Sequence, residues 1–535
     1  MSVVLKQALS NDIEQDYSKY TLIEHRKKYA QFFTPPPIAR FMAKWLLGNV
    51  GLDSVLEPAF GLGIFSRYLL SEKSDLKIKG FEVDENILDQ AKTIFDENEN
   101  VQLTLQDYIS SDWETKYDGI ICNPPYFKFH NYNNISMIEE VESKLCFKLN
   151  GFTNLYTLFL LKSIYQLNFN GRAAYIIPSE FLNSDYGKFV KSFLIQSKSV
   201  RHIIVINFEE NVFEDALTTA SIILCSNDLV SNRVHFSVIN KLRDLGLIEY
   251  EIAAYPKYFN GYSTKLITEL KPEIKWKAYY QEQNSLKYNN LVSFSKYGKV
   301  VRGIATGAND YFTFNKSKAG KHNIDTKYLL PCICKAMDVK NACFSVDDFN
   351  ALAENDKFCY LLNVMPPIDQ NISNYLNSGL EKQVDKKFLT GSRNPWFALE
   401  KRLPAPIWVS VFNRTGLKFI RNEANIANLT TFHCIYPVNN ELFGGIDIDL
   451  FFAYLLTETA KEIFNDNCRE YGNGLQKFEP NDINKAKMFD LQKIDKATEK
   501  IIISYYLEYR KSIICSQIDE SYIKKINKIF LEHFK

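Results

Sequence analysis

Ser54-Val55-Leu56-Glu57-Pro58-Ala59-Phe60-Gly61-Leu62-Gly63 reads as the end of a buried strand followed by a glycine-bearing turn and the start of a helix. Glycines at such a turn let the backbone approach a ligand closely. Working outward, further β-branched and apolar runs occur at 77–81, 118–122, 173–177 and 203–206, the pattern of successive buried strands. Between them, 85–98 and 155–167 carry helical spacing, with Asn170-Gly171 as a stop signal. From residue 50 to about 225 this alternation predicts an α/β, doubly wound, Rossmann-like and mostly parallel sheet, with ligands beyond the carboxyl ends of its strands.

Gly61-Leu62-Gly63 is not a pyrophosphate cradle, because Ser66 stands where the third glycine would be. Gly80-Phe81-Glu82-Val83-Asp84 follows about 20 residues later, so Glu82, with Val83 beside it, is expected to face a ribose diol. Gln106-Asp107-Tyr108 closes a third strand; Asp107 can accept a hydrogen bond from an adenine amine, and Tyr108 belongs to the apolar surround of that ring.

Asn123-Pro124-Pro125-Tyr126, directly after the strand at 118–122, is the most specific feature. An arylamine nitrogen is a poor nucleophile because its lone pair is delocalised into the ring. Hydrogen bonds from its two protons to the Asn123 side-chain oxygen and the Pro124 carbonyl would favour a pyramidal nitrogen and free that lone pair. Such help is electrostatic and positional and needs no nucleophilic cysteine, so Cys122 reads as strand core. The prolines pre-set the backbone and lack donors, and Tyr126 offers a ring for a base to stack on.

On these residues the first 225 or so positions resemble the gamma-class, TaqI-like adenine amino-methyltransferases of restriction-modification systems, built on the class I methyltransferase fold. The resemblance implies S-adenosylmethionine as cofactor, its methionine part received by Glu57, Pro58, Ala59, Phe60, Gly61 and Gly63, with Pro125 on the cofactor side. Phe33-Thr34-Pro35-Pro36-Pro37 resembles the family's opening motif, which makes Thr34 a cofactor contact. Asn154-Leu155-Tyr156-Thr157-Leu158-Phe159 is similar to the segment whose last aromatic packs on the cofactor's adenine, hence Phe159. Val212-Phe213-Glu214-Asp215-Ala216 looks like the motif whose phenylalanine touches an extruded base, which pairs Phe213 with Tyr126. The chain departs from the family there by lacking a basic residue near Asp215 and Ala216.

The net charge of +1 hides an asymmetry: 41 Lys+Arg face 34 Asp+Glu after residue 240, against 23 and 29 before it. The later half therefore attracts a phosphate backbone, as a DNA partner requires. It resembles the family's target-recognition region at Arg302-Gly303-Ile304 and again near Tyr471-Gly472-Asn473; Arg302, Arg393, Lys401, Arg402 and Arg414 are the candidate DNA contacts. Length and pattern together predict a catalytic domain over 1–240, an α+β recognition domain over 241–450 and a helical region over 451–535.

Ten cysteines without a C-x-x-C pair argue for reduced structural thiols and against a metal site. No apolar run is long enough to span a bilayer and the first residues are not a secretion signal, so a cytoplasmic protein is expected. The implied partner is double-stranded DNA, bound by a monomer that works alongside a cognate endonuclease. Two other readings stay open at this point, an N4-cytosine enzyme and an RNA amino-methyltransferase. A protein glutamine methyltransferase is disfavoured by the nearly 300 basic, aromatic-rich residues after the catalytic domain, and a non-catalytic DNA-binding protein on the same fold, the alternative of another class, by intact Asn123, Tyr126, Glu82 and Gly61.

Overall fold

The computed structural model describes residues 12–128, 132, 134–207, 219–257, 263–414, 416–438, 446–471 and 475–534. The apolar runs become strands β1 (Ser54–Glu57), β2 (Lys77–Glu82), β3 (Val101–Leu105), β4 (Tyr117–Cys122), β5 (Leu167–Pro178), β6 (Val200–Ile206), β7 (Ala220–Ser226), β8 (Arg233–Ile239) and β9 (Ser263–Leu266). They form one sheet in the order β3-β2-β1-β4-β5-β7-β6-β8-β9. The pairs from β3 through β5 and the β6–β8 pair are parallel; β7 runs antiparallel to both β5 and β6, and β9 antiparallel to β8. This is the expected α/β, doubly wound and mostly parallel sheet.

Every residue of β6 and β7 is buried, as a sheet covered on both faces demands. One face packs under Leu158, Phe159 and Leu161, the other under Phe41, Met42 and Trp45. The chain order reverses between β1 and β4, so the glycine turn and the Asn-Pro-Pro-Tyr run leave the sheet side by side at its switch point.

Two local expectations shift. The helix after β2 spans Glu85–Ile94 and ends before residue 98. The helix Leu155–Tyr165 stops ahead of Asn170-Gly171, and that pair lies inside β5 where its register with β4 is irregular, Asn170 taking φ 63°.

The three expected regions become two compact units: Met1–Glu282 with Glu470–Gly474, and Gln283–Arg469 with Leu475–Lys535. The boundary moves past 240 because β9 extends the sheet, and Ile267, Leu270 and Trp276 complete its core. The helical region is not separate either. Phe451, Tyr506 and Phe530 from its helices share one core with Val300, Ile407 and Ile435 from the five-stranded sheet of the second unit. Among the described residues no helix is long and apolar enough to cross a membrane.

Candidate active site

Beyond the carboxyl ends of β1, β2 and β4 lies a cleft of about 240 Å³. Thr34, Glu57, Pro58, Ala59, Phe60, Gly61, Glu82, Val83, Asp107, Tyr108, Asn123, Pro125 and Phe159 all line it. Gly63, Pro124 and Tyr126 do not, and Phe213 lies outside the described residues. Gly63 instead starts the helix Ile64–Glu72 at φ 71°, where a side chain would stand 2.6 Å from the rings of Phe60 and Phe95. Its glycine is required for turn shape and packing.

The glycine turn and the end of β2 are tied together by one carboxylate. Glu82 Oε2 accepts from the Gly61 amide at 3.0 Å, while Oε1 accepts from Val83 at 2.8 Å and Asp84 at 3.0 Å. Burial raises the Glu82 pKa against the pull of these three amides. Glu57 is buried deeper and faces the first turn of the next helix, accepting from the Ser66 amide at 3.1 Å and from the Ser66 hydroxyl. Burial pushes its carboxyl up to about 8. Asp107 spends one oxygen on the Ile109 amide at 2.8 Å, and Phe159 packs on Tyr108 with ring centroids 5.1 Å apart.

Beneath that loop, buried Lys162 donates to the carbonyls of Tyr108 (2.5 Å), Ile109 (3.0 Å) and Ser111 (2.9 Å). The ammonium thereby fixes the backbone that carries Asp107 and Tyr108.

At the far side of the cleft Asn123 follows the last residue of β4. Its side-chain nitrogen donates to the Phe32 carbonyl at 2.7 Å and to Thr34 Oγ1 at 3.0 Å. Its Oδ1 is buried and has no hydrogen-bond partner among the described residues. An orphaned buried acceptor is costly unless a ligand completes it. Tyr126 donates to the Ile176 carbonyl at 3.2 Å and stacks on Phe32, centroids 5.7 Å apart and planes within 18°.

Phe32 and Thr34 belong to an N-terminal segment whose grip on the sheet sequence reasoning missed. Gln31 Nε2 donates to Asp84 Oδ2 at 2.6 Å, and His25 Nε2 lies 2.7 Å from the same oxygen. Asp84 Oδ1 accepts from the Asn86 amide and caps the helix Glu85–Ile94. From the helix Asp12–Tyr20, Glu14 reaches down to pair with buried Arg67 and lines the cleft. Acids directly after a strand were readable as ligands; that Asp84 instead holds residues more than fifty positions upstream was not.

Of the candidate DNA contacts, Arg393 donates to the carbonyls of Ala305 and Thr306 and staples its own loop. Arg402 is bound to Glu400 at 2.7 Å. Arg302 stands 3.7 Å from Glu400 with half its surface exposed, and Lys401 and Arg414 are exposed.

Two family profiles match the chain: the Eco57I restriction-modification methylase over residues 51–213, and the C-terminal domain of the type II methyltransferase M.Eco57I over 276–522. The chain is 60% identical to the type II methyltransferase M.AccI of Acinetobacter calcoaceticus, covering 98% of this chain and 97% of that one. It is 23% identical to M.HindII of Haemophilus influenzae over 74% of its length and 73% of the relative's. Among solved structures, the type IIL restriction-modification enzyme MmeI in complex with DNA superposes with a TM-score of 0.54 at 12% identity, covering 98% of this chain and 74% of MmeI, a likeness of fold. With identity of this order over nearly its full length, the chain belongs to the Eco57I-like family of type II restriction-modification DNA methyltransferases.

Proposed function

We propose that this DNA methyltransferase acts on the exocyclic N6 amine of an adenine rotated out of duplex DNA, with S-adenosylmethionine as methyl donor. The observation that carries the reading is the buried, partnerless Oδ1 of Asn123 in a cleft that also presents Glu82 and Asp107. That donor set suits the cofactor. Glu82 would hold a ribose diol, Asp107 an adenine amine and Phe159 the adenine face, while the turn from Pro58 to Gly61 leaves room for an amino-acid tail.

The cofactor, when bound, supplies an electrophilic methyl group. The chain's part is to make the target amine nucleophilic. Asn123 Oδ1 would accept a hydrogen bond from one amine N–H and the Pro124 carbonyl from the other, which draws the lone pair out of the ring. As the nitrogen takes the methyl the bond to sulfur breaks to leave a neutral thioether, and the excess proton of the methylated nitrogen passes to solvent. Because the acceptor is pre-aimed, no reorganisation accompanies the developing charge. Tyr126, its hydroxyl held by Ile176, offers one face to the base, and Phe213 is the proposed second.

Turning a base out of the stack costs roughly a few kcal/mol, which these aromatic faces partly offset. Adenine, rather than cytosine N4, rests on the resemblance of Asn123-Pro124-Pro125-Tyr126 to the gamma-class enzymes. Arg302, Lys401 and Arg414 are the proposed phosphate or base-edge contacts, and the enzyme is proposed to work as a monomer beside a cognate endonuclease.

Incubation of the protein with labelled S-adenosylmethionine and unmethylated duplex DNA, followed by nucleoside analysis, is expected to give N6-methyladenine. N4-methylcytosine would move the target base, and label found only in RNA or protein would overturn the reading. Asn123→Ala is expected to bind the cofactor normally and lose about a hundredfold or more in turnover, the scale of removing a pre-aimed charge stabiliser.

A further inference from the structure

A primary amide has two donor hydrogens and one acceptor oxygen, so the partners of its nitrogen decide where its oxygen points. For Asn123 one of those partners is the Phe32 carbonyl, which can only accept. The nitrogen must therefore face the N-terminal segment, and Oδ1 must face away from it. A single bond would still let the amide turn, since the terminal torsion of Asn is broad. The second bond, to Thr34 Oγ1, fixes the plane. Thr34 is 3% exposed, so bulk water does not compete for that hydroxyl.

The support is itself anchored at both ends. Gln31, one residue before Phe32, is bound to Asp84 at 2.6 Å, and the Phe32 ring lies on Tyr126. Two of the four residues in the Asn-Pro-Pro-Tyr run are thus held by residues 32–34.

We propose that Thr34 is a positioning residue for the methyl-acceptor amine: with the Phe32 carbonyl it consumes both amide donors of Asn123 and aims Oδ1 at the substrate. This rests on the reading of Asn123 given above. It extends the role implied for Thr34 by the family resemblance, which was contact with the cofactor. A threonine hydroxyl that accepts from Asn123 keeps its own proton to donate, so it can couple the two ends of the cleft.

The two roles separate in kinetics. Thr34→Val keeps the shape and removes the acceptor; Thr34→Ser restores it. Turnover at saturating DNA and S-adenosylmethionine is expected to fall about tenfold or more in Thr34→Val, because an interaction realised at the transition state shows in kcat. The calorimetric Kd for S-adenosylmethionine and the KM for DNA are expected to move less than about threefold, and Thr34→Ser to regain most of the turnover.

Weakened S-adenosylmethionine binding with an unchanged saturating kcat would overturn the proposal and leave Thr34 a cofactor contact. An unchanged kcat in Thr34→Val beside an inactive Asn123→Ala would overturn it too. An Asn123→Ala enzyme as active as wild type would instead defeat the underlying reading. Should Thr34→Val fail to fold by thermal denaturation, Thr34→Cys, similar in shape with a poor acceptor, is judged by the same constants.

Discussion

Replacing Asp84 with Asn tests whether the N-terminal segment is held over the cleft by one buried oxygen. Asp84 is 2% exposed, and its Oδ2 takes the Gln31 amide at 2.6 Å and the His25 ring at 2.7 Å. In Asp84→Asn that position becomes an NH2 facing donors, while Oδ1 still caps the helix Glu85–Ile94, since Asn caps as well as Asp. A hydrogen bond to a charged group contributes roughly 1.5–3 kcal/mol, so loss of the Gln31 bond costs about 2 kcal/mol. The His25 contact, whose ring is 26% exposed, adds about 1 kcal/mol or less after solvent screening. Together about 3 kcal/mol shifts the docked-to-open equilibrium of the segment by roughly a hundredfold.

Arg26, Lys27 and Lys28 place trypsin sites in that segment, and cleavage of a transiently open state follows its population. The expected result is cleavage there about a hundredfold faster than in wild type, with S-adenosylmethionine affinity reduced and the second unit's digestion pattern unchanged. Cleavage within about twofold of wild type would refute the reasoning, because the segment would then be held by something other than Asp84.

Gly80→Ala puts a methyl 2.3 Å from the Phe60 ring and 2.7 Å from Leu103, and Phe60 is part of the glycine turn. We expect roughly 1–3 kcal/mol of destabilisation with about tenfold weaker S-adenosylmethionine binding by calorimetry; unaltered affinity would mean the turn tolerates the shift. The stacked, buried pair His202 and His235, 4.6 Å apart, is held neutral by burial, His202 down to about 3 and His235 to about 4. Their folded pKa values lie below the unfolded value of about 6.5, so the stability they confer is present above that pH and lost as pH falls through 6.5 toward 4. The slope is up to about 1.4 kcal/mol per pH unit for each ring, and urea midpoints at pH 7 and 5 should converge in His202→Phe relative to wild type; equal slopes would exclude the pair as its source.

The strands were legible because a sheet covered on both faces needs unbroken β-branched runs, and 118–122, 173–177 and 203–206 supply them. The carboxylates at their ends were legible because open α/β sheets put ligands there. What could not be read was the support of the site. Asn123 is aimed by the carbonyl of Phe32, 91 positions upstream, and a carbonyl carries no residue identity for a pattern to find. Lys162 did leave a trace, as the lone cation in Leu155-Tyr156-Thr157-Leu158-Phe159-Leu160-Leu161-Lys162, where an apolar helix predicts either exposure or full satisfaction of the charge. Three carbonyls satisfy it, and only the fold could say which.

Phe33-Thr34-Pro35-Pro36-Pro37 and Asn123-Pro124-Pro125-Tyr126 look like two independent signatures in the chain, yet Thr34 Oγ1 and Asn123 Nδ2 are 3.0 Å apart. The prolines after Thr34 start the helix Pro36–Leu47, where a missing N–H costs nothing, and that buried helix sets the height of Thr34 over the sheet. On the proposed mechanism, an amide that accepts from a weakly basic amine cannot also be free to turn. The motif that aims it is therefore as much a part of the amine chemistry as the motif that contains it.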